Sequence, residues 1–538
     1  MKARASSLLA VVPCAALFVA LAACEKSGDD GNGSIGFESG TFEAGSGPDG
    51  SCASPPCTPI DASSGDAPAN DAADAAAGPY GDTPPPPLTP NDVFVDPVNG
   101  KDTSSGKLAA PFKSIKKGLA TVPAGAAVHL LDGTYTTTTE GSTAVLVIPN
   151  GVVLRAENYR LAKLDALPLT ANQAAAAIYG IVLEKGSTVQ ANDAVASNVI
   201  MSGVQLVNEQ LTSTSVTVNG LTKLALHNVD FTGVLRSGTL VVGTDAEVVM
   251  TGGTMDAQGN GAPGFGAALI VVNGRAALTL DGVTIKNSKT PGIGVAGSTP
   301  ATPATITLKN GTLFDTVGTL GNCASAASVI ATTNATVVLD KVTMKGSPNA
   351  AICIRDGGTN IDFKIKNGSS LSNNAAAIAS ETGNGANATV AVSDSSIASN
   401  TSYGIVWQGD GTFTLANTTM TGNGTALYLS GGANNLAFNV RGSMLTGNGY
   451  AVEAFSSTIA LDLGTAASAG NNKITGNTTT GLSLSVGAGV VVEAQGNTWN
   501  ANVQGADAAG HYVAGTIVTG PFVTGTNYGA PNAVVLDL

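Results

Sequence analysis

The side chains best suited to chemistry in this chain lie in the turns of three neighbouring repeats. Arg355 and Asp356 follow one short apolar run, Glu381 follows the next, and Asp410 follows the third. Glycoside hydrolysis needs a pair of carboxylates flanking the scissile bond. If these turns stack on one another, the four charged groups would meet at one edge, so they form the candidate catalytic group.

Aromatic residues accompany these turns. Trp407 precedes Asp410, and Tyr428 lies in the following repeat. Their rings could stack on a sugar, which would make this part of the chain a carbohydrate-contact site. The alternative is that the turns are solvated corners and that Trp407 is partly buried.

The pattern apolar-x-x-Asn recurs about every 25 residues, a period typical of stacked coils. Its asparagines are Asn374, Asn400, Asn423, Asn448, Asn477 and Asn502. Asparagines at one corner can pair their amides along a stack, and they tolerate the left-handed backbone that a corner needs. The pattern therefore predicts a structural ladder and not a ligand motif.

Short β-branched runs alternate with polar corners from Val93 onward, as strands and turns do. The runs fall into two families. In the first, alternate apolar residues point inward. In the second, an apolar residue recurs five positions after the first, as from Leu226 to Phe231. Two strands and a bend then fit in each coil, and the stacked coils pair in parallel.

The outward positions of these families decide whether a charged cleft can form. In the first family they are Val241, Ile270, Gly294, Ile330, Cys353, Ala379, Val406, Tyr428, Glu453 and Ser483. This column is nearly uncharged, with neither a carboxylate pair nor a calcium cluster. In the second family, Asp281, Lys309, Asp340 and Lys366 are equivalent, which predicts an alternating charge ladder or, alternatively, a charged binding stripe.

The histidines offer no catalytic set. His129, His227 and His511 are far apart in the sequence and form neither a triad nor a zinc site. His227 belongs to the charged column and is expected at the surface.

One segment could hold a metal. Asp96, Asn99 and Asp102 carry side-chain oxygens of the kind that calcium prefers. The same residues are typical of a hydrogen-bonded turn, and both interpretations stay open. No other cofactor is expected.

The amino-terminal segment indicates export. Residues 1–23 combine Lys2 and Arg4 with a short apolar run, as a signal peptide does. This run ends in Leu21-Ala22-Ala23-Cys24, which resembles the bacterial lipobox and implies acylation of Cys24 and a bilayer anchor. Since Glu25 and not aspartate follows the cysteine, the outer membrane or cell surface is the expected location. Residues 24–90 predict a disordered acidic tether rich in Gly, Ala, Ser and Pro.

The net charge and the cysteines bear on nucleic-acid binding and on disulfide bonds. The net charge is −13, and most of the excess acid lies in the tether, so no nucleic-acid partner is expected. Cys52 and Cys57 could close a small loop within the tether. Cys323 and Cys353 lie about one coil apart, and export permits a disulfide between them.

Residues 93–135 contain "VFVDPVNGKDTSSGKLAAPFKSIKKGLATV" and then "LLDGTY". This stretch resembles the amino-terminal module of DUF1565-type proteins, and the coils resemble the right-handed parallel β-helices of the pectate-lyase-like superfamily. The resemblance implies an all-β solenoid over 91–538, with caps at 91–135 and about 503–538. The helix in the first cap is expected to begin near Pro111 and to end before Pro123.

Two functions remain open. The first is a monomeric, non-catalytic envelope protein that serves as a surface scaffold, an adhesion module or a glycan contact. The second is a polysaccharide lyase or glycoside hydrolase. The resemblance implies that such an enzyme would use acidic calcium ligands with an arginine or lysine base, so the candidates are Arg355, Asp356, Glu381 and Asp410.

Overall fold

The computed structural model describes most of the chain from residue 87 onward, within the compact unit Pro68–Leu538. The described residues are 87–499, 517–518 and 533–536, without 142–145, 148, 150–151, 159–160, 166–168, 172–188, 194–197, 203, 209–215, 221–222, 234–238, 258–267, 297–298, 300, 319–326, 332–333, 355–359, 381–387, 431–435, 457–458, 466 and 487–490.

The chain winds through three sheets in turn, and each strand pairs in parallel with the equivalent strand of the next coil, which gives a right-handed parallel β-helix. Sheet 1 contains Val93–Val95, Ala127–Leu130, Val153–Ala156, Asn198–Ser202, Lys223–His227, Glu247–Thr251, Ala277–Asp281, Ala304–Lys309, Ala335–Asp340, Ile361–Lys366, Ala388–Ser393, Gly411–Ala416, Leu436–Arg441, Ile459–Asp462, Val491–Ala494, Ile517–Val518 and Ala533–Leu536.

Sheet 2 contains shorter strands: Gly133–Tyr135, Ala162–Asp165, Val204–Asn208, Asp230–Gly233, Thr254–Asp256, Thr284–Ser288, Leu313–Val317, Thr343–Lys345, Ser370–Ser372, Ser396–Ala398, Thr419–Thr421, Met444–Thr446, Lys473–Thr475 and Thr498–Trp499. Sheet 3 contains Leu146–Val147, Leu169–Ala171, Val189–Asp193, Val216–Gly220, Leu240–Val242, Ile270–Asn273, Ile293–Ala296, Ala327–Ala331, Ala350–Ile354, Ala376–Ser380, Tyr403–Trp407, Thr425–Leu429, Tyr450–Ser456 and Thr480–Val486.

Each full coil therefore has three strands, where the sequence predicted two strands and a bend. The residues after the bend, such as Met420, pair along the stack as strands of their own in sheet 2. The predicted five-residue spacing is real. It joins an inward residue of sheet 1 to an inward residue of sheet 2, as from Leu415 to Met420, and both are fully buried.

The asparagine ladder is confirmed over five of its six members. The Asn400 side-chain amide donates to Asn423 Oδ1 at 2.8 Å, and the Asn423 amide donates to Asn448 Oδ1 at 2.9 Å. Each amide also donates to a backbone carbonyl of the preceding coil, and each side-chain oxygen accepts a backbone N–H. Asn374 and Asn477 extend the ladder at its two ends. Asn502 lies outside the described residues.

The left-handed backbone of this corner belongs to a different residue from the one predicted. The residue just before each ladder asparagine has positive φ, for example Asn373 at 55°, Ser399 at 55° and Gly422 at 66°. Because the preceding residue adopts the left-handed conformation, the asparagine does not have to, and its side-chain amide points inward. The ladder therefore depends on a pair of residues, a left-handed one and then a buried amide.

The corner between sheets 1 and 2 has a ladder that the sequence did not suggest. Here buried hydroxyls accept backbone N–H groups across coils: Thr418 N donates to Ser443 Oγ, and Ser443 N donates to Asn472 Oδ1. Asn472 in turn donates to Asn497 Oδ1 at 2.9 Å. Both corners thus satisfy buried backbone donors with short polar side chains.

The predicted charge ladder forms on the outer face of sheet 1. Asp281, Lys309, Asp340 and Lys366 stand in one register column. Lys309 Nζ lies 3.1 Å from Asp281, and Lys366 Nζ lies 3.4 Å from Asp340. These groups are exposed enough that each pair contributes only about 0.2–1 kcal/mol.

The first cap contains the helix, which spans Ile115–Thr121 and begins later than predicted. Pro111 and Phe112 precede it in an extended segment, and Ser114 is the N-cap. Asp102 accepts Ser114 N, and buried Glu140 accepts the backbone N–H groups of Ile115 and Lys116. These carboxylates fix the start of the helix, a long-range effect that local sequence does not contain.

At the carboxyl end, Ala533–Leu536 pairs in parallel with Val491–Ala494 and antiparallel with Ile517–Val518. The antiparallel pair closes sheet 1, as a cap should. Within the parts of the chain covered by the structure, no helix is long and apolar enough to cross a membrane.

Candidate functional site

Three aromatic side chains form a row on the outer face of sheet 3. Tyr403, Tyr428 and Phe455 come from successive strands, so the row climbs one coil per ring. The Tyr403 and Tyr428 ring centroids are 5.1 Å apart, and those of Tyr428 and Phe455 are 5.4 Å apart. All three rings are half-buried. We call these residues the aromatic row.

Glu453 lies beside the aromatic row, directly above Tyr428 in the register of sheet 3. Its Oε2 accepts a hydrogen bond of 2.7 Å from Thr425 Oγ1. Burial raises the pKa of Glu453, although the hydrogen bond from Thr425 opposes the shift. Burial, with a smaller effect from Glu453, also raises the pKa of Tyr403.

An interruption of the in–out alternation of side chains determines which residues of these strands face outward. In Thr425–Leu429, both Ala426 and Leu427 are fully buried, so strict alternation is broken once. Tyr428, which follows this pair, faces outward, whereas Thr425, which precedes it, is itself buried and donates its hydroxyl to Glu453. The next strand repeats the arrangement with Ala451 and Val452 inside and Glu453 outside.

Gly404 is required at the same interruption of the alternation. A Cβ at this position would lie 2.5 Å from Met420 Cε and 2.6 Å from the Ala426 carbonyl oxygen. Real contacts are never this short, so a larger residue would push the strand outward. The glycine lets Tyr403 follow the same path as Thr425 in the coil above.

In the earlier coils of sheet 3, the equivalent positions hold small residues that are buried. Ala350, Ala376 and Ala379 are buried in a small apolar cluster of their own, against which Tyr403 and Val406 pack. Nine of the ten residues predicted for the outward column share one register column of sheet 3, and the tenth is misplaced. Val271 pairs with Val241 and Gly294, whereas Ile270 points into the core.

The prediction of a sugar platform at Trp407 is wrong. This side chain is 1% exposed and packs inside the coil, with its ring 5.7 Å from that of Phe413. Its Nε1 donates to the Asp410 carbonyl oxygen at 3.2 Å. The strand alternation that turns Val406 outward turns Trp407 inward. Tyr428, the other predicted platform, is half-buried on the outer face.

The candidate catalytic group is only partly covered by the structure. Asp410 is half-buried in the turn after the strand Tyr403–Trp407. Arg355, Asp356 and Glu381 lie outside the described residues, so their convergence stays a prediction. Sequence reasoning missed Tyr403 and Phe455. Their signal was an aromatic residue recurring near the ends of aligned runs, "YGIVW", "ALYLS" and "VEAFS".

The predicted calcium segment forms a hydrogen-bonded turn instead. Asp96 Oδ1 accepts Val98 N and Asn99 N, and its Oδ2 accepts the Asn99 side chain. Burial alone would raise the pKa of Asp96, but these hydrogen bonds outweigh it and lower the pKa. Asp102 is likewise occupied by backbone N–H groups of the cap.

With these donors in place, the oxygens do not fit a calcium site. Among the residues that the structure covers, no group of three or more His, Cys, Asp or Glu side chains could hold a metal ion.

Of the histidines, His129 is buried and His227 is half-buried, while His511 lies outside the described residues. His129 is fully buried, with Nδ1 2.6 Å from Glu157 Oε2 and Nε2 3.1 Å from Asp92 Oδ2. Its ring stacks on Phe94 at 4.6 Å. His227 was expected at the surface, yet burial lowers its pKa and its Nδ1 has no hydrogen-bond partner. Asp92 and Glu157 hold His129 as part of the cap, since Asp92 also accepts Ala127 N.

The cysteine predictions rest mainly on residues outside the described part. Cys353 is fully buried and disulfide-bonded. Cys323 is not among the described residues, so the pairing stays a prediction. The lipid-attachment residue Cys24 also lies outside them.

Comparison with known proteins agrees with this architecture. Residues 98–313 match the family described as "Protein of unknown function (DUF1565)". The DUF1565 resemblance is confirmed for this region. No curated protein matches the chain.

Solved structures with likeness to the chain are β-helix proteins. A rhamnogalacturonan lyase is 12% identical, with 73% of this chain and 82% of that chain covered at a TM-score of 0.28. A pectate lyase is 13% identical, with 82% and 88% covered at 0.27. The A-module of a mannuronan C-5 epimerase from Azotobacter vinelandii is 11% identical, with 70% and 87% covered at 0.21. The β-helix assignment rests on the strand register and not on these distant likenesses.

Proposed function

We propose that this protein is a lipid-anchored scaffold of the cell envelope that contacts polysaccharide without cleaving it. The observation that carries the proposal is the aromatic row Tyr403–Tyr428–Phe455 on the outer face of sheet 3. Aromatic rings stack on the apolar faces of sugars, and half-buried rings lose little conformational freedom when they bind.

The strands and corners of the coils hold the three rings of the aromatic row in fixed positions. The strands that carry the rings are held in register on both sides, and the asparagine ladder stands at the corner before each of them. A site on paired strands is held more tightly than one on a loop. Successive rings follow the strand spacing of about 4.8 Å, so the row offers an extended surface suited to a chain-like ligand.

The proposed anchor extends this function to the cell surface. Acylation at Cys24 and an acidic tether over 24–90 would hold the β-helix away from the bilayer. Cys24→Ser should move the protein from the membrane fraction to the soluble fraction. A variant with Cys52→Ser serves as the control and should stay in the membrane fraction. Retention of the Cys24→Ser protein would contradict the anchor.

A glycoside hydrolase is the second candidate, because burial raises the pKa of Glu453 in the manner of a general acid. Such an enzyme needs a second carboxylate roughly 5–9.5 Å away. The flanking strands Thr425–Leu429 and Thr480–Val486 contain no acidic residue. The partner would have to come from another segment, and the scaffold is the better supported proposal.

Binding and cleavage can be tested together with the full chain in detergent micelles. We expect retention on uncharged polysaccharides in affinity electrophoresis, with no new reducing ends or unsaturated products. Tyr428→Ala should weaken binding about tenfold, equivalent to about 1.4 kcal/mol. Tyr428→Phe keeps the ring and should bind like the wild type.

Product release that is lost in Glu453→Gln or in Asp410→Asn would overturn the non-catalytic proposal. Unchanged binding in Tyr428→Ala would overturn the aromatic row as the contact site.

A further inference from the structure

The aromatic row is accompanied by one charge, and that charge is negative. The four strands of sheet 3 from 403 to 486 read "YGIVW", "TALYL", "YAVEAFS" and "TGLSLSV". Glu453 is their only charged residue. A ligand lying along the aromatic row therefore meets a carboxylate and, from these strands, no cation.

The cations of this part of the chain belong to other faces. Between residues 403 and 491 they are Arg441 and Lys473. Arg441 is in sheet 1 and donates to Asp462 Oδ2 at 2.6 Å, while Lys473 is in sheet 2. Neither strand contributes to the outer face of sheet 3. Recognition of an acidic sugar usually uses an arginine or lysine, which the four described strands that carry and adjoin the aromatic row do not contain.

Glu453 is also held in place. Thr425 Oγ1 fixes Oε2, and Tyr428 lies directly below it in the register. A carboxylate of this kind can accept hydrogen bonds from sugar hydroxyls. The same carboxylate repels an anionic ligand, and its partial burial weakens the screening by solvent.

We propose that the aromatic row selects uncharged polysaccharide and that Glu453 excludes acidic polysaccharide. This inference rests on the proposed glycan-contact function and adds the class of ligand. Tyr403 and Tyr428 provide the stacking surface, Glu453 accepts hydroxyl donors, and its charge discriminates against uronate chains. The selectivity is a difference of affinities that contains an explicit repulsive element.

The test compares ligands that share a sugar backbone and differ in the charge of their substituents. Polygalacturonate and its fully methyl-esterified form are one such pair, and carboxymethylcellulose and hydroxyethylcellulose are another. The full chain in detergent micelles is titrated with each at pH 8 and low salt. We expect the uncharged member of at least one pair to bind at least tenfold more tightly than its charged counterpart, and the ratio to fall as salt is added.

Glu453→Gln is the decisive variant, because glutamine keeps an oxygen that can accept from Thr425. It should reduce the preference for the uncharged member at least threefold, mainly by tightening binding of the charged member. Thermal unfolding of this variant should match that of the wild type closely enough to show that it is folded. Lys364→Ala, on the exposed outer face of sheet 1, is the control and should leave the preference unchanged.

The outcomes separate the two proposals. Binding that depends on Tyr428 but favours the charged polymers, or an unchanged preference in Glu453→Gln, overturns the selectivity and leaves the glycan contact standing. Failure to bind any of the four polymers overturns both.

Discussion

Two stretches of sheet 3 have the same backbone and different outer surfaces. In the strands Ala350–Ile354 and Ala376–Ser380, the residues of the outward column, such as Cys353 and Ala379, are small and buried. In the strands Thr425–Leu429 and Tyr450–Ser456, the same column holds Tyr428 and Glu453. The register continues without a break between them, so the change is made by side chains alone.

The comparison separates what builds the solenoid from what it displays. Both stretches bury equivalent residues, such as Ile352 and Leu427, and share the ladder that runs from Asn374 to Asn477. The side chains of the outer columns take no part in the core inside the coils or in the asparagine ladder. A site can therefore be placed on a few coils without altering the fold, which is a general property of solenoids.

The largest effect should come from the part that both stretches share. Asn400→Ala removes four side-chain hydrogen bonds and leaves the buried Asn374 N–H without the acceptor that it uses here. We expect a loss of about 3 kcal/mol or more in the free energy of unfolding, since each orphaned group costs about 1–3 kcal/mol. Chemical denaturation would measure it.

The matched control is Asn439→Ala, at a half-buried outward position of sheet 1. It should change the free energy of unfolding by less than about 0.5 kcal/mol. Equal losses in the two variants would mean that the ladder is not the shared support.

The next effect should be confined to the displayed surface. Tyr403→Ala and Phe455→Ala each remove one end of the aromatic row and should weaken polysaccharide binding about threefold to tenfold, or about 0.7–1.4 kcal/mol. Ser372→Ala, at a half-buried position of sheet 2, is the control. Isothermal titration calorimetry would measure the difference in binding affinity between these variants and the control. Unchanged affinity in both Tyr403→Ala and Phe455→Ala would mean that only Tyr428 contacts the polysaccharide.

A smaller effect follows from the raised pKa of Glu453. Because the folded state holds this proton more tightly than the unfolded state, the contribution to stability is present below the ordinary glutamate pKa and is lost as the pH rises through the raised value. The neighbours that face Glu453 are Thr425, Tyr403 and Tyr428.

The loss should amount to less than about 1 kcal/mol because Glu453 is partly exposed. Unfolding curves of wild type and Glu453→Gln between pH 4 and pH 8 would show it as a difference that changes with pH. Parallel curves would contradict the shift.

The smallest effect should arise at the exposed charge ladder. Lys309→Ala removes the pair with Asp281 and should lower the free energy of unfolding by less than about 1 kcal/mol. The loss should shrink in high salt, because exposed pairs are screened. A large loss that is independent of salt would mean that Lys309 acts through packing instead of charge.

The β-helix could be predicted from the sequence because the patterns that indicate it are local and repeated. The ladder asparagines, the inward columns and the Asp281–Lys309–Asp340–Lys366 column each follow from spacing alone. Ile270 was misplaced because a slip of one residue exchanges the two faces of a strand, and three consecutive apolar residues gave no sign of the correct register.

The site was harder to predict for a related reason. The buried pair Ala426 and Leu427 interrupts the alternation, so Tyr428 faces outward, and the buried Thr425 three residues earlier donates its hydroxyl to Glu453. Trp407 stands next to polar turn residues, so the sequence left both a sugar contact and a partly buried ring open, and its place in the alternation buries it. The start of the helix depended on Glu140, a residue distant in sequence.

The most direct test is a crystal structure of the protein with a bound uncharged oligosaccharide. The account predicts sugar rings stacked along Tyr403, Tyr428 and Phe455, with a hydroxyl group hydrogen-bonded to Glu453. An oligosaccharide bound instead in the turn that contains Asp410, with the aromatic row uncovered, would contradict it.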